Sequence, residues 1–166
     1  MGKIILFIAS SLDGYIARKN GSIDWLPESA ASGYDEFYKS IDVVILGKKT
    51  YDQVLTFGDY PYKDKKSFVL TSSGNPNENN IEFVSDIKNL VSDITKYGDA
   101  WLVGGGEVIS SFMNLGAVDE LILSIIPVVL GDGIPLFKNI QKETKLELIK
   151  TTQYDALVEL HYKILN

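Results

Sequence analysis

Three consecutive glycines, Gly104-Gly105-Gly106, follow the apolar run Trp101-Leu102-Val103. They precede Glu107 and a segment whose apolar residues fall at helical spacing: Val108, Ile109, Phe112, Met113 and Leu115. A strand that enters a glycine turn and leaves as a helix turns bare main-chain N–H groups toward a bound anion, with no Cβ to hold the ligand away. The chemistry this suits is retention of a phosphate-bearing cofactor. A tight turn that merely packs the helix on the strand would use the same residues, and so short a motif matches either.

A second turn of this kind is Gly47-Lys48-Lys49-Thr50, after the apolar run Val43-Val44-Ile45-Leu46. The glycine permits a close turn, the helix start offers free N–H groups, the threonine can cap or donate, and the lysines add charge. The longer glycine loop of a Walker motif is missing. Two such turns could hold the two ends of one pyrophosphate, whereas a plain helix start with exposed lysines is the simpler alternative. Thr71-Ser72-Ser73 supplies three hydroxyls at another strand end. They suit a ribose phosphate or a turn that satisfies its own backbone.

Ser11-Leu12-Asp13-Gly14-Tyr15-Ile16-Ala17 joins a carboxylate to a glycine just after the first apolar run. A reductase needs a surface for a planar ring and a proton source near the atom that receives hydride. Asp13 could serve, with burial raising its pKa, or could belong to an ordinary Asp-Gly turn. The stretch Asn20 to Pro27 reads as a loop anchored by Trp25, able to close over a ligand or simply to cover the core edge. Arg18 and Lys19 could meet a substrate phosphate or be solvated. His161, the only histidine, reads as structural. One histidine and no cysteine leave no metal site and no disulfide.

These residues need a scaffold, and the rest of the sequence outlines one. Apolar runs predict strands over 3–10, 42–47, 67–72, 81–84, 100–104, 119–126, 144–152 and 156–165, with helices over 30–40, 49–56, 86–97 and 106–115. Alternation of the two implies βαβ units and an α/β fold with a mostly parallel sheet. After residue 119 strands follow one another directly, which predicts antiparallel pairing there, with Gly131-Asp132-Gly133 as a loop. In open α/β sheets ligands bind at the carboxyl ends of strands. That rule nominates Ser10 to Ile16, Gly47 to Thr50, Thr71 to Ser73 and Gly104 to Val108 as the walls of a groove long enough for a dinucleotide.

The 166 residues suit one domain, residues 1–166, with 45% hydrophobic and 23% charged residues. A net charge of −6 argues against sequence-blind nucleic-acid binding, which needs a basic footprint. Lys63, Lys65 and Lys66 are expected on a solvated loop. No run is long enough to span a membrane, and no secretion signal is evident, so the cytoplasm is the expected location.

Taken in order, these motifs resemble the dihydrofolate reductase-like superfamily, and more closely the reductase domain of riboflavin biosynthesis, the RibD C-terminal type. Ser11-Leu12-Asp13-Gly14 with Ile16-Ala17 is similar to that domain's opening motif. Gly116 to Leu121, Ile126-Pro127 and Leu130-Gly131-Asp132-Gly133-Ile134-Pro135-Leu136-Phe137 are similar to its C-terminal signature. The resemblance covers nearly the whole chain. It implies a dihydrofolate reductase-like mixed sheet flanked by helices, NADPH as cofactor and a homodimer.

By this resemblance Lys48, Lys49 and Thr50, with Gly47, contact the cofactor phosphates. Thr71, Ser72 and Ser73 lie near its adenosine end, and Val103, Gly104, Gly105, Gly106, Glu107 and Val108 hold the pyrophosphate and nicotinamide side, joined by Ala9 and Ile16. A non-proline cis peptide is implied within Gly104 to Gly106. Asp13 is implied in catalysis, and Ser11, Gly14, Trp25 and Phe37 at the substrate. Dihydrofolate reductases carry a carboxylate on the first helix. With Phe37 matched, that position falls on Gly33, and Asp35 would serve only in a shifted helix, which weakens the folate assignment and is compatible with the riboflavin branch. The zinc-binding deaminase half of the bifunctional riboflavin enzyme has no counterpart in this sequence. The expected activity is NADPH-dependent reduction of a small nitrogen heterocycle, 5-amino-6-(5-phosphoribosylamino)uracil above all, with hydride delivered to the ribosyl carbon of an open imine. A dihydrofolate reductase-like enzyme of other substrate, and a non-catalytic NADP(H)-binding module, are the alternatives.

Overall fold

Strand β3 (Val43–Gly47) is buried at all five positions, which is why its sequence is apolar without alternation. The same holds for most of β1 (Ile4–Ser11), the centre of the sheet. The computed structural model describes residues 1–28 and 32–166. Chain order continues with β2 (Tyr15–Ala17), α1 (Tyr34–Ser40), then β3 and α2 (Lys48–Leu55), β4 (Lys66–Leu70), β5 (Ile81–Val84), α3 (Ile87–Ile94), β6 (Ala100–Gly104), α4 (Gly106–Asn114), β7 (Glu120–Ile126), β8 (Ile134–Pro135), β9 (Lys145–Gln153) and β10 (Val158–Leu165). Eight strands form one sheet in the order β5-β4-β3-β6-β1-β7-β10-β9. Pairing is parallel from β5 to β7, and antiparallel between β7 and β10 and between β10 and β9. The expected mixed, mostly parallel sheet with antiparallel C-terminal strands is therefore observed.

Alternate side chains of the central strands feed two cores. Ile4, Leu6, Val43, Ile45 and Leu102 meet Leu90 and Ile94 of α3 and Ile109 and Phe112 of α4. Ile5, Phe7, Val44, Leu46 and Trp101 meet Phe37 of α1 and Tyr51 of α2. Phe112 and Ile109 are wholly buried, each contributing roughly 1.5–3 kcal/mol. The second core is aromatic. Phe7 stacks on Phe37 with ring centroids 4.5 Å apart, and Trp101 meets Phe37 edge-on at 5.7 Å. Trp101 Nε1 donates to the Phe7 carbonyl oxygen at 2.9 Å, which satisfies its one polar group and ties β6 to β1.

Four details depart from the sequence reading. β2 and β8 pair in a small separate sheet that was not expected. They are three and two residues long, too short for any periodic signal. Helix α3 ends at Ile94 rather than continuing to residue 97, because the chain turns through Tyr97 to Gly98, whose φ is +126°. The helix expected from residue 30 is observed from Tyr34; residues 30 and 31 lie outside the described ones. The lysine cluster is also less solvated than expected. Lys65 Nζ donates to the Ile41 carbonyl at 2.8 Å, and Lys66 opens β4 and pairs with Glu82 at 3.0 Å. No helix among the described residues is long and apolar enough to cross a membrane.

Candidate active site

The four nominated strand ends belong to β4, β3, β6 and β1, which are consecutive neighbours and mutually parallel. Thr71–Ser73, Gly47–Thr50, Gly104–Val108 and Ser10–Ile16 therefore share one edge of the sheet, as the groove requires.

At its centre two helix starts converge. Gly47 is the N-cap of α2 and Gly105 that of α4, and neither helix receives a capping hydrogen bond from its N-cap side chain, glycine having none. Leading N–H groups are thus left for an anion. The approach leaves little space for side chains. A Cβ on Gly47 would stand 2.9 Å from Val108 Cγ2, and one on Gly105 would stand 3.3 Å from Thr50 Oγ1. The Gly104–Gly105 peptide is cis, within the span expected. Val103 is passed over in the pairing of β3 with β6, where Ile45 faces Leu102 and Leu46 faces Gly104. Glu107 is exposed and 3.6 Å from Lys138 Nζ. Val108 and Thr50 are half-buried between the two helix starts.

Lys48 Nζ pairs with Asp52 at 2.6 Å and lies over the Tyr51 ring. Lys49 is exposed and pairs with no acidic group among the described residues. Thr71 and Ser73 hydroxyls lie 3.1 Å apart, and the Ser73 N–H donates to Thr71 Oγ1 at 3.2 Å. This is the self-satisfied turn, with Ser72 and Ser73 exposed at its tip.

Asp13 differs most from expectation. It is exposed, and its carboxylate is filled by three donors: Ser11 Oγ at 2.6 Å, Gly131 N at 2.8 Å and Leu130 N at 3.1 Å. The Ser11 hydroxyl has the largest influence on its pKa; desolvation comes next and opposes it, and the Gly131 and Leu130 amides add to Ser11 to hold it below the usual 3.8. Burial and a raised pKa were expected; the carboxylate is instead exposed with its pKa lowered, and it pins the 130–131 loop to the end of β1. Ser11 Oγ also accepts from Tyr15 N at 2.9 Å, so both members are structurally committed. Gly14, at φ +88°, offers its carbonyl to Leu136 N at 2.8 Å. Gly133 passes so close to β2 that a Cβ would stand 2.3 Å from the Ala17 carbonyl. These contacts give the Gly-Asp-Gly loop its position.

Ala9 and Ile16 are half-buried at the end of β1 and in β2. Trp25 is half-buried, and its Nε1 is shielded with no hydrogen-bond partner among the described residues. Phe37 is 8% exposed and packs in the aromatic core. Arg18 pairs with Asp24 and Lys19 with Asp132, each at 2.6 Å, so these cations brace loops. His161 Nε2 lies 2.7 Å from Glu120, which also pairs with Lys3. Burial pushes the Glu120 carboxyl up, but Lys3 and His161 outweigh it and hold it low. This cluster lies at the opposite end of β7 from the groove. A carboxylate that sequence reasoning passed over, Glu159 of β10, reaches the N–H of Gly33 at 3.3 Å. Its only sequence signal is a charge between Val158 and Leu160. No group of three or more His, Asp or Glu among the described residues could hold a metal ion.

Comparison with known proteins agrees with this architecture. Protein YwjB of Bacillus subtilis (strain 168), uncharacterised, is 44% identical over 170 residues, covering 96% of this chain and 97% of its own. A crystal structure from Shewanella sp. PV-4, named as a proposed riboflavin biosynthesis protein, superposes with a TM-score of 0.88 at 29% identity, covering 99% of each chain. Dihydrofolate reductase from Enterococcus faecalis shares the fold, with a TM-score of 0.69 at 19% identity over 99% of this chain and 98% of that one. The RibD C-terminal domain profile matches residues 2–160, and the chain belongs to that family.

Proposed function

We propose that residues 1–166 act as one NADPH-dependent reductase domain for a small nitrogen heterocycle, of the 5-amino-6-(5-phosphoribosylamino)uracil reductase type. The observation that carries this reading is the pair of helix starts at Gly47 and Gly105, set side by side on adjacent strands with little room for a Cβ between them. Such a cradle fits a pyrophosphate. The coenzyme, when bound, supplies the hydride. Main-chain amides of Lys48 to Thr50 and Gly105 to Val108 receive the phosphates, and Lys49, exposed and without an acidic partner among the described residues, meets an additional one. Thr71 to Ser73 border the adenosine end. Ala9, Ile16 and Val103 flank the nicotinamide side.

The protein's task is to orient the two reactants and exclude water. Ser11, Gly14 and Trp25 border the substrate, and Asp13 acts by fixing the 130–133 loop beside it. In the proposed reaction hydride reaches the ribosyl carbon of the open imine and a proton reaches the imine nitrogen. The reading includes a homodimer, for which edge strand β9 offers Leu148 and Ile149, 54% and 52% exposed. The test is NADPH oxidation with 5-amino-6-(5-phosphoribosylamino)uracil and, separately, dihydrofolate. Turnover with the pyrimidine supports the reading. Saturable NADPH binding without oxidation by either compound would make the chain a binding module.

A further inference from the structure

Cross-strand neighbours place Ala9, Ser124 and Glu159 in one row on one face of the sheet, the face that carries Ile5, Phe7 and Ile122. The Glu159 carboxylate is half-buried there, near the groove end of β1 and β7. Its Oε2 accepts from Gly33 N at 3.3 Å and from Ser124 Oγ at 3.5 Å, both long for contacts to a charged acceptor. Among the described residues no donor reaches Oε1, and no cation pairs with either oxygen. Gly33 leaves the space it occupies, since a Cβ there would stand 2.7 Å from Oε1 and the carboxylate would have to shift. A half-buried carboxylate with one oxygen free of protein donors among the described residues is placed to accept a ligand's N–H groups.

We infer that Glu159 is a specificity-determining residue that accepts two adjacent N–H groups from the edge of a ring ligand, as an aminopyrimidine presents. This rests on the reading of the groove as a heterocycle site. A planar edge with two parallel donors matches the two carboxylate oxygens, and the aromatic group of Phe7 and Tyr34, 6.1 Å apart, lies on the same face.

The test measures binding of 5,6-diaminouracil by saturation-transfer NMR, alongside NADPH affinity and thermal midpoint. Glu159→Gln keeps an oxygen for the Gly33 amide but loses the charge and one acceptor. The expected result is diaminouracil binding weaker by about 10- to 100-fold, with NADPH affinity and midpoint unchanged. Glu159→Ala should lose the probe likewise, and adding Gly33→Asp to it should restore part of the binding by returning a carboxylate to the same space. Unchanged probe binding in Glu159→Gln, no probe binding by the wild type, or a joint fall of all three quantities would overturn the inference. Probe binding that depends on Glu159 without any NADPH oxidation would instead overturn the reductase reading and leave this one standing.

Discussion

Gly47→Ala tests the convergence of the two helix starts. Gly47 has φ −75° and ψ 157°, which alanine adopts freely, so any cost is steric. The new Cβ would stand 2.9 Å from Val108 Cγ2, and a helical valine has one strongly preferred rotamer and cannot swing aside cheaply. Overpacking of this kind costs about 1–3 kcal/mol, or roughly 2–12 °C in Tm at this chain length. The relief is to move α4 away from α2, which removes at least one amide from a shared phosphate and weakens NADPH by about 10- to 100-fold. Val108→Ala alone should cost about 1 kcal/mol for a half-buried side chain. Combined, the two substitutions should lose less than their sum by about 1–2 kcal/mol, because the methyl that collided is gone. Urea unfolding and NADPH titration of all four proteins complete the cycle. Strict additivity, or an unchanged midpoint in Gly47→Ala, would refute the reasoning.

Other consequences follow from single contacts. Because the Asp13 pKa is held below 3.8, its hold on the loop is present above that pH and lost as pH falls through the lowered value. The Gly131 amide shift should therefore titrate below pH 3.8, and a midpoint above it would contradict the assignment. Asp13→Asn at neutral pH should speed amide exchange at Leu130 and Gly131 without changing the global midpoint. Lys48→Ala with Lys49→Ala should weaken NADPH more than NADH, by about tenfold or more, and equal losses would remove the contact to the extra phosphate. Trp101→Phe leaves the Phe7 carbonyl without its donor and should cost about 1–3 kcal/mol in urea unfolding.

The central strands were legible because burial on both faces writes an apolar run into the sequence. β5 and β6 match their expected bounds, Ile81–Val84 and Ala100–Gly104. The four strand ends were legible too, since glycine and hydroxyl residues end each run. Their adjacency rests on an order, β4-β3-β6-β1, that local pattern does not encode. What was missed depends on distant partners. Asp13 reads as a group whose pKa burial would raise until donors 117 and 118 residues away are seen to fill its carboxylate. Lys65 reads as solvated until the Ile41 carbonyl accepts from it. Glu159 meets the Gly33 amide, 126 residues earlier in the chain, which no local pattern announces.

The most direct measurement is a titration of isotope-labelled protein with NADPH, read at the backbone amides. Saturable shifts concentrated at Lys48 to Thr50 and Gly104 to Val108 are the predicted result. Amides that stay fixed at every coenzyme concentration would contradict the account at its root.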